Sequence, residues 1–320
     1  MKCSHCMSTN RQFDLYVSIL KSFSEKPLIV PVTNDRSMPR VNTVQGKISS
    51  LNVSASLIRY LLYNGEPNEV CPRRYYHTQI KRDIKERETL PMLYGKYFES
   101  KCIGVSSDKT ATLDLPRHKT TGKKLSDHIR IDYAVDRFKY VCQKLQIVPE
   151  QIQQYNSFLM EEMSVVMGID VIVEGTIDFQ SKIITDSYEY PVATVDLKLT
   201  KDRDNCFPPF CWGCPERMDM TQPMMYYVLF GKPFVYLVFD YRKDNPWYKD
   251  IPIITDIDAK DDTHRIIAKR RMDELRQNIR WVVATTLEWE ALGWPCEPSS
   301  TICRNCPIID CKERTKSVAI

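Results

Sequence analysis

Several features that would quickly place a protein in a class are missing from this sequence. No apolar run approaches the roughly 18–20 residues of a membrane-spanning helix, and the longest, at 234–239, is short enough to be a buried strand. No basic region followed by an apolar stretch stands at the N-terminus, as a secretory signal requires. There is no internal repeat. We therefore expect a cytoplasmic (intracellular) protein without a membrane partner.

A strong charge is also missing, because the formal net charge is only +4 for 320 residues. This value neither supports nor excludes nucleic acid as a partner, since phosphate attraction depends on where the basic residues lie. Hydrophobic residues at 43% and charged residues at 27% are ordinary for a globular protein. The chain is long enough to bury the core of one large domain, with or without an insertion.

The order of helix-like and strand-like patterns predicts an α/β domain. Helical patterns dominate up to about residue 166, β-branched segments follow from Ile169, and a long helix that Asp262 or Thr263 can cap comes last. Helices on either side of a group of strands favour a mixed central sheet with a helical insertion. The predicted parts are an N-terminal extension (1–50), a domain (51–292) made of a helical part (51–166), a sheet core (167–257) and a long helix (262–292), and a cysteine-rich tail (293–320).

An acidic constellation is the sharpest chemical signal in the chain. In a strand, alternate side chains share a face, so Asp196 and Lys198 project together while Leu197 turns into the core. Asp178, at the end of a preceding strand, can meet them if the two strands pair. Two carboxylates suit a hard divalent cation such as Mg²⁺, and a nearby ammonium can orient water or offset negative charge. The parts suit hydrolysis of a phosphodiester.

Each piece of this constellation also has an ordinary structural reading. An isolated Asp-x-Lys is often a surface salt bridge, and Asp178 could be a simple turn residue. Gln222 and Tyr226, four residues apart on a predicted helix, are neighbours on one helix face in any case. The ordered set is much rarer than any of its parts.

The order Gly-x-x-Asp, hydrophobic-Asp-x-Lys and Gln-x-x-x-Tyr resembles the RecB-like exonuclease branch of the PD-(D/E)XK nuclease superfamily. An upstream glycine followed four residues later by an acid, here Gly95 and Glu99, completes the resemblance. Many cluster-bearing relatives have histidine at the position of Glu99. The resemblance implies a restriction-endonuclease-like fold, a Mg²⁺ or Mn²⁺ ion and a set of site residues. The implied metal ligands are Glu99, Asp178, Asp196 and the Leu197 carbonyl, Lys198 is implied to be catalytic, and Gln222 and Tyr226 are implied to position DNA or the site.

Twelve cysteines in a chain without a predicted secretory signal favour metal ligation over disulfides. Cys303-x2-Cys306-x4-Cys311, with Cys71 far upstream, supplies four thiols that could hold a 4Fe–4S cluster or zinc. The Cys-Pro-Arg motif at Cys71 and this tail are similar to those of CRISPR-associated RecB-like exonucleases and of the AddB subunit of bacterial recombination nucleases. This resemblance implies iron and sulfur in a structural role, closing a very long loop. The tail is one residue shorter than is usual there, and Cys296 could replace one ligand.

A second group of cysteines could hold Zn²⁺. Cys3-x-x-Cys6 and Cys211-x-x-Cys214 form two pairs with zinc-like spacing, and Cys206 and His5 lie close to them in sequence. The alternative is that these residues are small buried side chains or free thiols. Cys102 and Cys142 are expected in the core.

Aromatic and basic residues near the predicted site allow two interpretations. Rings on the helices beside it could stack on single-stranded bases or simply pack in the core. Arg73, Arg74 and the basic loop 116–124 could contact phosphate or face solvent. The aromatic residues concerned are Tyr75, Tyr76, Tyr94, Tyr97 and Phe98.

The sequence therefore predicts a metal-dependent DNA nuclease, with exonuclease action on single strands or duplex ends as the mode the resemblance implies. Recombination, repair or phage DNA processing is the expected setting. A CRISPR adaptation nuclease that trims DNA before integration is an alternative, although this chain is longer than the usual member of that group. Further alternatives are a catalytically inactive nucleic-acid-binding relative and a zinc-stabilised interaction protein.

Overall fold

The computed structural model describes residues 38–86, 88–104, 115–208, 210–242, 248–297, 299–304, 306–308 and 311. Alternating buried and exposed residues build its strands. The β-branched segments expected after Ile169 are indeed strands, and further strands lie before and after them. The strands of this described part are β1 (Val41–Val44), β2 (Lys47–Ser54), β3 (Leu62–Tyr63), β4 (Glu66–Pro67), β5 (Tyr155–Leu159), β6 (Asp170–Thr176), β7 (Phe179–Ile184), β8 (Glu189–Thr200), β9 (Phe234–Asp240) and β10 (Tyr248–Ile253).

Two four-stranded sheets form from these strands, in the orders β1-β2-β6-β5 and β10-β9-β8-β7. The first sheet is mixed, because β2 and β6 run parallel whereas the outer pairs are antiparallel. The second is mixed in the same way, with β8 and β9 parallel. The predicted mixed α/β fold is confirmed, and its strands are divided between two sheets. The strands β3 and β4 form a separate hairpin.

Helices flank both sheets, and most of them begin or end where the sequence indicates. A π-helical turn (Tyr76–Ile80) continues the short helix that Pro72 opens, and a 3₁₀ turn (Pro215–Arg217) precedes the helix at Thr221. The α-helices of the described part are α1 (Ala55–Leu61), α2 (Pro72–Tyr75), α3 (Leu90–Ile103), α4 (Ser126–Lys144), α5 (Glu161–Met167), α6 (Thr221–Phe230), α7 (Asp262–Ala291) and α8 (Ser300–Arg304).

The N-cap of the long helix α7 lies one residue before the expected cap. The carboxylate of Asp261 accepts a hydrogen bond from the backbone N–H of His264 at 2.8 Å, so Asp261 is the N-cap rather than Asp262 or Thr263. An aspartate at this position satisfies a backbone donor that the helix itself leaves unpaired. Among the described residues, no helix combines the length and the apolar character needed to cross a membrane.

The second sheet lies between two hydrophobic cores, and this arrangement decides where its side chains point. On one face, Tyr236 and Val238 pack with residues of α1, α6 and α7. On the other face, Val195, Leu197 and Leu237 pack with residues of α3 and α4. Because β9 is buried on both sides, its sequence is a continuous apolar run rather than an alternating one.

One sequence expectation differs from the fold. Helical patterns are expected to dominate up to about residue 166, but helix α4 ends at Lys144 and the strand β5 follows, paired antiparallel with β6. This strand exists because a distant partner supplies its hydrogen bonds, which local periodicity does not reveal. The strand β2 pairs with β6 from the other side, and the predicted domain bounds stay a prediction.

Candidate active site

The pairing of β7 with β8 brings the two predicted aspartates together. Asp178 lies between β6 and β7, and the antiparallel register places Phe179 opposite Val195. As a result, the carboxylate of Asp178 accepts a hydrogen bond of 2.6 Å from the backbone N–H of Leu197. Asp178 is therefore in direct contact with the residue that follows Asp196.

Strand alternation gives Asp196 and Lys198 a common face, as expected. Leu197 packs in the opposite core, while the ammonium of Lys198 contacts Asp196 Oδ2 directly. Asp196 is only 3% exposed, and its Oδ1 accepts a hydrogen bond of 2.7 Å from Gln222 Nε2. Apart from its contact with Lys198, Oδ2 accepts no hydrogen bond within the described residues.

Glu99 joins this group from helix α3. Its Oε1 accepts a hydrogen bond of 2.6 Å from Gln153 Nε2, and its charge is close enough to act on Asp178. The structure thus collects Glu99, Asp178, Asp196 and Lys198 at one place, although they come from three separate segments of the chain. Their roles in metal binding and catalysis remain predictions, as does that of the Leu197 carbonyl.

The electrostatics of the site favour a bound cation. Burial raises the pKa of Asp178 well above its usual value, and the negative charges of Asp196 and Glu99 raise it further, against smaller effects of Lys198 and the Leu197 N–H. Carboxylates that repel one another in a dry site are stabilised by a positive ion. Oxygen donors of this kind suit Mg²⁺ or Mn²⁺, so the residues fit the implied metal.

In the described residues, no three or more Cys, His, Asp or Glu side chains already stand as a metal-holding set. Each acid is engaged by a protein donor instead: Asp178 by the Leu197 N–H, Asp196 by Gln222 and Lys198, and Glu99 by Gln153. Ligation of a shared ion therefore requires these carboxylates to exchange some of their protein partners for the metal.

Helix α6 is fixed against the strand that leads to Asp178. The hydroxyl of Tyr226 donates a hydrogen bond of 2.7 Å to the carbonyl of Thr176, two residues before Asp178. A Cβ atom added to Gly175 would lie 2.8 Å from Leu229 Cδ1 and 3.0 Å from Tyr226 Cε1. The glycine of the Gly-x-x-Asp motif is therefore required because a helix packs directly on it.

Replacing Gly175 by alanine should consequently destabilise the protein, by about 1–3 kcal/mol for overpacking in a tight core. Gly95→Ala is a matched control, because Gly95 lies within helix α3 and its added Cβ would meet nothing within 4 Å. That change should leave stability equal or raise it by about 0.5–1 kcal/mol. Denaturant titration of both variants measures the difference, and a Gly175→Ala protein as stable as the wild type would contradict the packing.

Three further residues belong to the site, and the sequence did not single them out. Gln153 is the partner of Glu99, and Tyr236 pairs with Asp196 across β8 and β9, with Lys198 Nζ 5.8 Å from its ring centre. Burial and the charge of Asp196 raise the pKa of Tyr236, whereas the positive charge of Arg59 lowers it. Only the apolar strand pattern around Tyr236 offered a signal, because Gln153 and Arg59 reach the site through tertiary packing.

The C-terminal tail returns to the helix that begins after Cys71. The backbone N–H of Arg73 donates to the carbonyl of Pro295 at 3.2 Å, and the ring of Trp294 stacks on Tyr76 with centres 4.7 Å apart. These contacts close the loop of more than 230 residues between Cys71 and Cys303.

Cys71 lies near thiols of the C-terminal tail, because its charge acts on both Cys296 and Cys306. Cys71, Cys303, Cys306 and Cys311 are buried, and the half-buried Cys296 has its Sγ 3.4 Å from that of Cys311. Burial raises the pKa of Cys296 to about 12, with contributions from Cys311 and Cys71. Cysteine thiolates suit an iron–sulfur cluster or zinc, so the donor chemistry fits the implied group, although no three of these thiols already stand as a metal-holding set among the described residues.

The second cysteine group takes a different form. Cys206 and Cys214 are joined in a disulfide bond, a pairing that the sequence did not predict. While this bond holds, Cys214 offers no thiolate, the form in which cysteine binds a metal; the zinc site at Cys3, Cys6, Cys211 and Cys214 stays a prediction. Cys211 is a buried free thiol, whereas Cys3 and Cys6 lie outside the described residues.

The aromatic residues expected to stack on bases are mostly core residues. Tyr75, Tyr94, Tyr97 and Phe98 are all buried, so their rings are not available to a substrate. Arg74 forms a double hydrogen bond with Glu86, at 3.0 and 2.7 Å, which leaves it engaged within the protein. The loop 116–124 is an exposed turn closed by a bridge between Arg117 and Lys124.

Comparison with known proteins adds little beyond this geometry. No family model matches the chain, and no curated protein matches it significantly in sequence. Among solved structures, the chain is similar to the crystal structure of a "putative exonuclease" from Eubacterium rectale. That similarity covers 73% of this chain and 81% of the other, with 15% sequence identity and a TM-score of 0.47. We draw no functional argument from a likeness at that level.

Proposed function

We propose that the protein is a metal-dependent DNA nuclease that hydrolyses phosphodiester bonds, with exonuclease action on single strands or duplex ends. The observation that supports this most directly is the gathering of Glu99, Asp178 and Lys198, which are half-buried, around the buried Asp196. Burial and the acidic neighbours Asp196 and Glu99 destabilise the negative charge of Asp178 there. A bound divalent cation would offset this destabilisation. The ammonium of Lys198 is already at the same point.

The residues of the chain take distinct parts in this proposal. Asp178 and Asp196 hold the cation with Glu99, and a bound Mg²⁺ or Mn²⁺ supplies Lewis-acid activation of water and offsets phosphate charge. The ammonium of Lys198 donates a hydrogen bond at the reacting phosphate or the attacking water. Gln222 fixes the orientation of Asp196 through a bond of 2.7 Å.

Two residues further from the chemistry complete the site. Tyr226 anchors helix α6 to the strand that carries Asp178, since its hydroxyl bonds to Thr176. The guanidinium of Arg59, half-buried beside Tyr226 and Tyr236, contributes a second positive charge toward a phosphate. The thiol corner at Cys71, Cys303, Cys306 and Cys311 binds a 4Fe–4S cluster in a structural role.

A time course on end-labelled single-stranded and double-stranded DNA tests the proposed activity. Hydrolysis is expected with Mg²⁺ or Mn²⁺. No hydrolysis is expected with excess EDTA, because the chelator removes the cation that activates water. Lys198→Ala should lower the rate by about 10²–10³-fold, the usual effect of losing one charge-stabilising group. Lys182→Ala, which removes an exposed lysine on β7 paired with Glu189, should change little.

Different outcomes of this assay separate the alternative functions. Binding of DNA without hydrolysis under any metal condition would favour the inactive nucleic-acid-binding alternative and contradict the proposal. Full activity of Lys198→Ala in EDTA would contradict the assigned site. The label also reports polarity, and a circular substrate distinguishes endonuclease from exonuclease action. A trimming role before integration, the CRISPR alternative, would show as precise shortening of duplex ends.

A further inference from the structure

Two exposed aromatic rings stand on the loop that follows the catalytic strand β8. Phe207 is 75% exposed and Phe210 is 46% exposed, whereas the aromatic residues on the neighbouring helices are mostly buried. Both phenylalanines lie between Cys206 and Cys214, which a disulfide bond joins. Both rings are therefore accessible to a ligand.

Phe210 is the outer member of a stack of rings that leads to the site. Its ring lies parallel to that of Trp212, with an interplanar angle of 2° and centres 5.4 Å apart. Trp212 is buried and meets the ring of Tyr236 edge-on at 5.3 Å. Tyr236 is next to both Asp196 and Lys198, so the stack begins on the catalytic face of the sheet and ends in solvent.

The loop that carries Phe210 is ordered by its own hydrogen bonds. The backbone N–H of Gly213 donates to the carbonyl of Asn205 at 2.8 Å. The backbone N–H of Cys211 donates to the carbonyl of Phe207 at 3.3 Å. A Cβ atom on Gly213 would lie only 2.1 Å from the carbonyl oxygen of Asp204. The loop is therefore closed tightly on itself, and its outer ring is held in place before any ligand arrives.

One lysine begins the loop that carries Phe210, and another contacts the base of the stack. Lys201, at the start of the same loop, is exposed and forms no ion pair within the described residues. The ammonium of Lys249 donates to the carbonyl of Trp212 at 2.9 Å, which adds a second cation at the base of the stack. A flat apolar face with nearby cations is the combination that binds unpaired bases and their phosphates.

We infer that Phe210, backed by Trp212, is a stacking platform for an unpaired base of a DNA strand that passes Lys198. This inference rests on the proposed function and gives it a substrate class, namely single-stranded DNA or a single-stranded end. A paired base in a duplex interior has both faces covered by its neighbours, so it offers no free face to Phe210.

Binding without hydrolysis tests the inference separately from the activity. In EDTA, the anisotropy of a fluorescein-labelled oligothymidine reports its affinity for the wild type and for variants. Phe210→Ala should weaken binding at least about fivefold, the lower range for loss of one base stack, and Phe210→Trp should retain it. Phe210→Leu keeps apolar packing on Trp212 without an aromatic face, and it should weaken binding as Phe210→Ala does.

Two controls make the outcome decisive. Tyr140→Ala removes a ring that is 51% exposed on helix α4, and it should leave affinity unchanged. A blunt duplex should bind wild type and Phe210→Ala equally. The inference is overturned if Phe210→Ala binds oligothymidine as the wild type does, or if the wild type does not bind it. Weakened binding by Phe210→Ala in a protein that hydrolyses no DNA would support the platform and contradict the proposed activity instead.

Discussion

Asp178→Asn protein is expected to lose DNA hydrolysis by about a thousandfold or more and yet, without metal, to be more stable than the wild type. The loss follows because one of the charges that would hold the cation is gone. The gain follows because Asn keeps an oxygen for the Leu197 N–H and removes a carboxylate whose charge is unfavourable. Burial is the largest cause of that penalty, followed by repulsion from Asp196 and Glu99.

The raised pKa of Asp178 also predicts the direction in which this stability difference changes with pH. The pKa of Asp178 is raised in the folded protein, so the folded state binds a proton more tightly than the unfolded state does. Stability is then highest below the ordinary carboxyl pKa and falls as pH rises through the raised pKa of Asp178. The stability difference between Asp178→Asn and wild type should therefore grow with pH over that range.

Thermal melting in EDTA across a pH series measures the effect, and Asp136→Asn serves as the control. Asp136 is an exposed carboxylate on α4 paired with Lys139, so its replacement should alter neither activity nor the pH profile. Excess Mg²⁺ should stabilise the wild type, because a ligand that binds the folded state alone shifts the equilibrium toward it, and it should not stabilise Asp178→Asn. Equal melting profiles of Asp178→Asn and wild type at every pH would contradict the buried charge penalty.

Cys71→Ser and Cys306→Ser are each expected to abolish a brown chromophore and to lower the melting temperature by about 10 °C or more. Metal binding between Cys71 and the tail joins segments more than 230 residues apart, and such ligation contributes several kcal/mol to folding. Without it, the tail is held by weaker contacts such as the stack of Trp294 on Tyr76.

Absorbance, iron and sulfide content and melting of anaerobically purified protein provide the measurement. Cys142→Ser is a suitable control, since Cys142 is a half-buried free thiol on helix α4 that packs against a different core. Separate serine variants of Cys296 and Cys303 decide which thiol completes the set, because Cys296 lies 3.4 Å from Cys311. A colourless protein that contains zinc would contradict the cluster, and no metal at all would contradict the site.

Much of the second sheet, which carries the candidate site, was predictable because its strands obey a simple rule. Alternation along β8 alone placed Asp196 and Lys198 on one face and Leu197 in the core, and the structure has this arrangement. The helix that carries Gln222 and Tyr226 was also predicted, and it runs from Thr221 to Phe230. The chemistry-bearing residues thus coincide with the elements whose local pattern is strongest.

Other features depended on long-range contacts that a local pattern does not contain. The strand β5 forms by pairing with β6, and Gln153 meets Glu99 only after that pairing. Tyr75 and Phe98 are core residues because helices cover them, whereas Phe210, which no periodic pattern marks, is exposed. Aromatic residues in sequence therefore did not reveal which rings a substrate could reach.

The most direct test of the acidic site is anomalous X-ray diffraction from crystals of the wild-type protein soaked in Mn²⁺. A strong peak within coordination distance of the carboxylate oxygens of both Asp178 and Asp196 is the predicted result. If crystals soaked in saturating Mn²⁺ show no anomalous peak at these two residues, the shared cation is contradicted. A peak that contacts neither residue would contradict it as well.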